Sequence, residues 1–237
     1  EIMPSLVGSE MCIRDSFIAC LADSLLYDSM QAELMSRLAS NIDYSTTTTV
    51  AGPGLGTSRL ARDTLGKAIV ANTPLVIDAD ALNLIGNEPA LQEKLLARSA
   101  ATIITPHPLE AARLLASTTQ QIQGNRIAAA RALASTFRAT TILKGSGTVI
   151  AAPDGTVVLN TTGNPALATA GSGDVLAGLS GALLAQGCPE WEAALAAVYL
   201  HGLAADELVK RGIGPIGLTA GELIPEIRSV LNQLVSG

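Results

Sequence analysis

Short apolar or β-branched runs alternate along this chain with longer segments whose apolar residues return every three to four positions. The runs 47–51, 74–78, 101–105 and 140–143 read as strands, and 59–70, 91–98, 109–116 and 126–137 between them carry the helical period. Alternation of this kind predicts βαβ units and a mainly parallel sheet. Residues 149–152 and 157–160, joined across Pro153-Asp154-Gly155, read as a hairpin, so part of the sheet is expected to be antiparallel. The last third reads as helical over 174–186, 191–210 and 222–234. No repeat, low-complexity linker or charge block divides the chain, which predicts one α/β domain from about Phe17. Residues 1–16, EIMPSLVGSEMCIRDS, follow neither period and lack the charged-then-apolar order of a signal peptide. They are expected to be a non-native leader.

Composition narrows the chemistry. Nearly half of the 237 residues are apolar, enough for a sizeable core, and the net charge is −6 with no basic cluster. Nucleic acid is therefore a poor partner, because phosphate backbones are bound by grouped Lys and Arg. Cys12, Cys20 and Cys188 are odd in number and lack metal-ligand spacing, which supports neither a zinc site nor a disulfide framework. No apolar run reaches the ~20 residues of a membrane span. The expectation is a cytoplasmic enzyme with no membrane partner.

The candidate chemistry sits where strands end, the usual ligand position in parallel α/β sheets. Gly52-Pro-Gly-Leu-Gly56 follows the first strand and lets backbone approach a ligand, although a plain turn has the same look. Asp78 and Asp80, in Asp78-Ala-Asp-Ala-Leu-Asn83, could hold a metal-bound water or cap a helix. Pro106-His107-Pro108-Leu109-Glu110 follows the third strand, and its two prolines make His107 a presented side chain or a turn cap. His201, inside a long helix, reads as structural. Lys144-Gly-Ser-Gly-Thr148 follows the fourth strand and offers one cation, two glycines and two hydroxyls to a nucleotide. Finally, Asn164-Pro-Ala-Leu-Ala-Thr-Ala-Gly-Ser-Gly-Asp174 places small residues and one carboxylate at a helix start, where backbone N–H groups attract phosphate.

Read in order, GPGLGTS, PLVIDADALNLI, TIITPHPLEAARLL, ILKGSGTVI and NPALATAGSGDVLAG resemble the ADP-dependent NAD(P)H-hydrate dehydratase family, from about Thr47 to the C-terminus. The resemblance implies a ribokinase-like fold, a mainly parallel central sheet with helices on both faces. It also implies ADP-dependent dehydration of hydrated NADH or NADPH, with Mg2+, releasing AMP and phosphate. Asp174 would be the general base and contact the hydrate, together with Gly54 and His107. Lys144, Gly145, Ser146, Gly147, Thr148 and Gly173 would bind ADP or its AMP part. The amides of Gly171, Ser172 and Gly173 would form the anion hole, and Asn164 would orient substrate or a magnesium shell. A homo-oligomer, commonly a tetramer, is implied as well. No protein metal ligand is assigned.

Two departures stand out. The chain has Ala166 and Leu167 where the family reads Gly and Met, and Ala there would be restrictive if the position needs a positive φ. The family's opening strand and helix should precede Phe17, which reads 17–237 as a dehydratase domain lacking its first strand and helix, with an exposed sheet edge. A ribokinase-like kinase of a hydroxymethylpyrimidine or thiazole alcohol is the alternative, because the same base and anion hole serve any hydroxyl acceptor. A non-enzymatic nucleotide-binding remnant is the third reading.

Overall fold

The computed structural model describes residues 16–21 and 34–236, so all of the expected leader but Ser16 lies outside the described residues. Two short strands, β1 (Phe17–Cys20) and β2 (Met35–Leu38), pair in parallel as a sheet of their own. The main sheet has six strands in chain order: β3 (Thr49–Ala51), β4 (Leu75–Ile77), β5 (Thr102–Ile104), β6 (Thr140–Leu143), β7 (Val149–Ala151) and β8 (Val157–Leu159). The first four run parallel, and β6, β7 and β8 are antiparallel neighbours, with the hairpin where the turn chemistry puts it.

Strand alternation divides the core. Leu75, Ile77, Ile104, Leu143, Val149 and Ala151 point to one face. Val76, Ile103, Ile142 and Ile150 point to the other. The first face is covered by α1 (Arg59–Val70), α2 (Ala79–Asn87), α3 (Pro89–Leu96), α4 (Pro108–Leu114), α5 (Thr119–Gly124) and α6 (Arg126–Phe137). The second is covered by α7 (Ser172–Ala185), α8 (Glu190–Lys210) and α9 (Ala220–Ser236). The architecture is thus the expected three-layer α/β/α arrangement. Helices α3 and α4 start earlier than their apolar period suggests because Pro89 and Pro108 occupy the first turn, where a missing N–H costs nothing. Helix α7 lies directly on the sheet. A Cβ on Gly181 would fall 2.3 Å from Val50 Cγ2, so only glycine permits that approach.

The N-terminal ends of the strands are tied together by two half-buried charged side chains. Arg98 donates to the carbonyls of Ala68, Ile69, Ala71 and Thr73 and to Thr102 Oγ1. Glu190, in the first turn of α8, accepts from the amide of Thr102 at 3.0 Å and that of Thr140 at 2.9 Å, tying β5 to β6. The opposite, C-terminal ends carry the loops that the sequence singled out.

Candidate active site

Four strand ends supply the site. After β3, Gly52 adopts φ +134, and a Cβ there would stand 1.7 Å from the carbonyl oxygen of Asp78, so the glycine loop lies flat against the end of β4. Its Gly56 amide donates to Asp80 Oδ2 at 2.8 Å. Gly54, at φ 62, is exposed at the tip of this loop. The loop is therefore built onto the start of α2, where Asp78 is the N-cap residue without using its side chain to cap.

Asp78 instead reaches across the end of β5. Its Oδ1 accepts from Lys144 Nζ at 2.6 Å, and its Oδ2 is buried with no partner among the described residues. Lys144 follows β6, its amide donating to Pro106 O at 2.9 Å. The two charges meet beside Gly173: a Cβ added there would lie 3.2 Å from Lys144 Nζ and 3.8 Å from Asp78 Oδ2. Glycine at this position leaves room between the ion pair and the start of α7.

Helix α7 opens on Gly171 in a left-handed conformation (φ 84), and among the described residues no side chain caps it. Ser172 turns its hydroxyl away, donating to Leu167 O at 2.6 Å, while its amide leans on Thr169 O at 3.4 Å. An uncapped helix start presents amides and a positive dipole to an anion. Asp174, half-buried in the first turn, has its pKa raised by burial and by the nearby Asp78 charge, with Lys144 pulling the other way. A carboxylate so placed is a stronger base than an exposed one.

His107 both caps and is presented. Its Nδ1 accepts from the amides of Leu109 and Glu110, and Glu110 Oε2 accepts from the His107 amide, a reciprocal capping box at the start of α4. Its Nε2 stands 3.3 Å from Glu110 Oε1. Burial and the Lys144 charge lower the pKa of His107, which keeps the ring neutral, and the Nδ1 contacts place its proton on Nε2. Burial raises Glu110 to about 7.

Asn164 is engaged by the fold at both ends of its amide. Oδ1 accepts from the Ala166 amide at 3.0 Å and Nδ2 donates to Asp206 Oδ1 at 2.9 Å, while Asp206 Oδ2 accepts from the Gly163 amide at 2.8 Å. Its place is to hold the 3-10 turn Pro165–Ala168 that leads into α7. Ala166 lies in that turn and is absent from the positive-φ residues, so alanine there meets no backbone conflict. His201 is buried in α8, hydrogen-bonded to the Ser172 backbone, and its pKa falls to about 4. It backs directly onto the turn that opens α7.

The arrangement brings Asp78, Lys144, Gly173, Asp174 and the His107–Glu110 pair to one end of the sheet. Asp78 as the partner of Lys144, Asp206 as the clamp on Asn164, and Arg126 beneath the 144–148 loop have no sequence signal of their own. The Glu110 spacing, three residues after an N-cap, was the one signal for the capping box.

Comparison with known proteins identifies the family. The family model described as NAD(P)H-hydrate dehydratase matches residues 7–228. The chain is 48% identical over 189 residues to the ADP-dependent (S)-NAD(P)H-hydrate dehydratase of Neisseria meningitidis serogroup B, covering 78% of this chain and 63% of that protein. It is 35% identical over 202 residues to the bifunctional NAD(P)H-hydrate repair enzyme Nnr of Escherichia coli K12, covering 85% of this chain and 38% of that one. Among solved structures, the ADP/ATP-dependent NAD(P)H-hydrate dehydratase of Bacillus subtilis, co-crystallized with ATP/Mg2+ and soaked with CoA, superposes with a TM-score of 0.72 at 30% identity, covering 86% of this chain and 75% of that one. The chain thus spans between about a third and two thirds of the length of the curated relatives it matches.

Proposed function

The chain belongs to the NAD(P)H-hydrate dehydratase family, and on that premise we propose that it catalyses ADP-dependent dehydration of the S-epimer of hydrated NADH or NADPH, releasing AMP and phosphate. The observation that carries this reading is the position of Asp174, in the first turn of an uncapped helix and electrostatically coupled to the Lys144–Asp78 pair beside Gly173. A hydroxyl held against Asp174 gives up its proton as its oxygen attacks the β-phosphoryl of ADP in line, and AMP leaves. Charge on the transferred phosphoryl falls on the amides of Gly171, Ser172 and Gly173 and on the helix dipole. Phosphate then leaves with the electrons of its C–O bond, and loss of a proton from the neighbouring ring carbon restores the double bond.

The residues fit a nucleotide-borne magnesium ion. No group of three His, Cys, Asp or Glu suited to a metal exists among the described residues, while Asp78 Oδ2 is buried, unpartnered and 3.8 Å from the Cβ position of Gly173. Magnesium is commonly held by one or two carboxylates together with substrate phosphates, and when bound it neutralises charge on them. Asp78 would hold it, while Lys144 balances the carboxylate. The Lys144–Thr148 loop would take the AMP part of ADP. Gly54 and His107 would meet the hydrated dinucleotide, His107 with the exposed part of its ring. Family membership supports a homo-oligomer, countable by light scattering. No helix of the described residues is long and apolar enough to cross a membrane.

The test is to mix protein, magnesium, ADP and enzymatically prepared NADHX and follow the near-ultraviolet absorbance of the dihydronicotinamide ring, with ATP in a parallel reaction. A rise with ADP is the expected result. Phosphorylation of a thiazole or hydroxymethylpyrimidine alcohol, with no rise, would replace this reading by the kinase one.

A further inference from the structure

We propose that Arg126 is the residue that shapes the nucleotide loop: its guanidinium draws the loop carbonyls inward and so turns the amides of Gly145, Ser146, Gly147 and Thr148 toward an anionic ligand. The inference rests on the nucleotide reading of this loop. Arg126 is the first residue of α6, and it donates to the carbonyls of Leu143 at 3.0 Å and Gly147 at 3.0 Å and, in a closer contact, to that of Ser146. Three carbonyls of the five residues 143–147 thus converge on one side chain. Thr148 Oγ1 adds a fourth internal bond, donating to Gly145 O at 3.1 Å.

The amides behave in the opposite way. Among the described residues, no acceptor is engaged by the N–H groups of Gly145, Ser146, Gly147 or Thr148, whereas the Lys144 amide is bound to Pro106 O. A run of backbone donors left free beside carbonyls drawn together onto one side chain is an anion nest. Glycine is required at the fulcrum. Gly145 has φ +144, and a Cβ there would lie 2.8 Å from Arg126 Nη2, so a side chain would push the guanidinium out of the loop. Gly147 has φ +66. Arg126 Nε is buried without a partner among the described residues, which marks the guanidinium as held for its fork rather than for a full set of its own bonds. Lysine cannot replace it, since one ammonium cannot reach three carbonyls in a planar fan. Arg126 is a positioning residue: it acts on the nucleotide through the backbone.

The experiment titrates a fluorescent ADP analogue into wild type and into Arg126→Met, Arg126→Lys and Gly145→Ala, and measures KM for ADP and for NADHX separately. Both Arg126 variants are expected to weaken nucleotide binding and raise KM for ADP by about tenfold or more, with KM for NADHX within about twofold of wild type. Gly145→Ala should reproduce the effect, and combining it with Arg126→Met should add little, because both remove the same contact. A structural role alone would raise both KM values in parallel with a fall in melting temperature. That outcome, or nucleotide affinity within about twofold of wild type in folded Arg126→Lys, overturns the proposal. If Arg126→Met fails to fold, Arg126→Lys and Gly145→Ala decide. Wild type that binds the ADP analogue without turning over NADHX refutes the proposed function and leaves this inference standing; wild type that does not bind it refutes the inference.

Discussion

The two ends of the central sheet are built on opposite rules. At the N-terminal ends of β5 and β6, Arg98 and Glu190 are fully engaged in the fold, five hydrogen bonds for the arginine and one on each oxygen of the glutamate. At the C-terminal ends lie the three buried polar side-chain atoms that lack a partner among the described residues: Asp78 Oδ2, Arg126 Nε and His201 Nε2. Buried polar groups are normally satisfied, so the orphan Asp78 Oδ2, beside Gly173, marks where a ligand would complete it. One end spends its polar groups on folding and the other holds them open. Stability and function are therefore separable along the strand direction.

Substitutions at the two ends should affect different observables. The largest expected effect is on chemistry: Asp174→Asn should lower kcat by roughly 10²–10⁴ while the ADP analogue binds as in wild type, since shape survives and the base is lost. Normal turnover in that variant would end the assignment. Arg98→Ala should do the converse. Leaving the carbonyls of Ala68, Ile69, Ala71 and Thr73 without their donor at the closed end should cost about 3–5 kcal/mol and roughly 6–20 °C in melting temperature, with kcat/KM at room temperature unchanged. A kinetic defect without a thermal one would show that the ends are coupled.

Proton linkage gives a subtler test. His201 is neutral in the fold, with its pKa depressed to about 4, and takes up a proton on unfolding below about 6.5. Its contribution therefore makes the protein lose stability as pH falls from 6.5 to 4, by roughly 2–3 kcal/mol at most. Glu110 has the opposite sign. Its folded pKa is raised to about 7, so the fold holds a proton that the unfolded chain has released, and stability falls as pH rises from 4.5 to 7. The two windows overlap between pH 4.5 and 6.5 and their slopes oppose each other there, so thermal denaturation should show stability falling with rising pH in His201→Gln and rising with pH in Glu110→Gln. Identical pH profiles for the two variants would refute this account. The smallest effect is predicted for Ala166→Gly, under about 1 kcal/mol in chemical denaturation with unchanged kinetics, because the turn already accepts alanine.

What the sequence made legible follows the same division. The strands and the long helices were readable because burial imposes a period of two or 3.6 on many residues at once. The loops were readable because they follow strands and hold glycines. Arg98 reaches carbonyls 25 to 30 positions back in the chain, and Glu190 accepts from amides 88 and 50 positions away; such single long-range partners leave no periodic trace. The Asp78–Lys144 pair, 66 positions apart, is invisible for the same reason. Asn164 and His107 were legible as noteworthy but not as to use, since an amide or an imidazole that binds its own backbone has the same letter as one that binds a ligand. The capping box at His107 illustrates the point: its spacing was in the sequence, yet the prolines drew attention first.

The ion pair that spans β5 has a further consequence. Asp78 and Lys144 stand at the ends of strands two places apart, and neighbouring strands are spaced by about 4.8 Å. The sheet acts as a ruler of fixed divisions, and one short acid with one long base covers the interval to give a 2.6 Å contact. Charge alone does not satisfy such a ruler. Asp78→Glu would keep every sign in place and still be a methylene too long for the gap, so this site is specified by length as firmly as by chemistry.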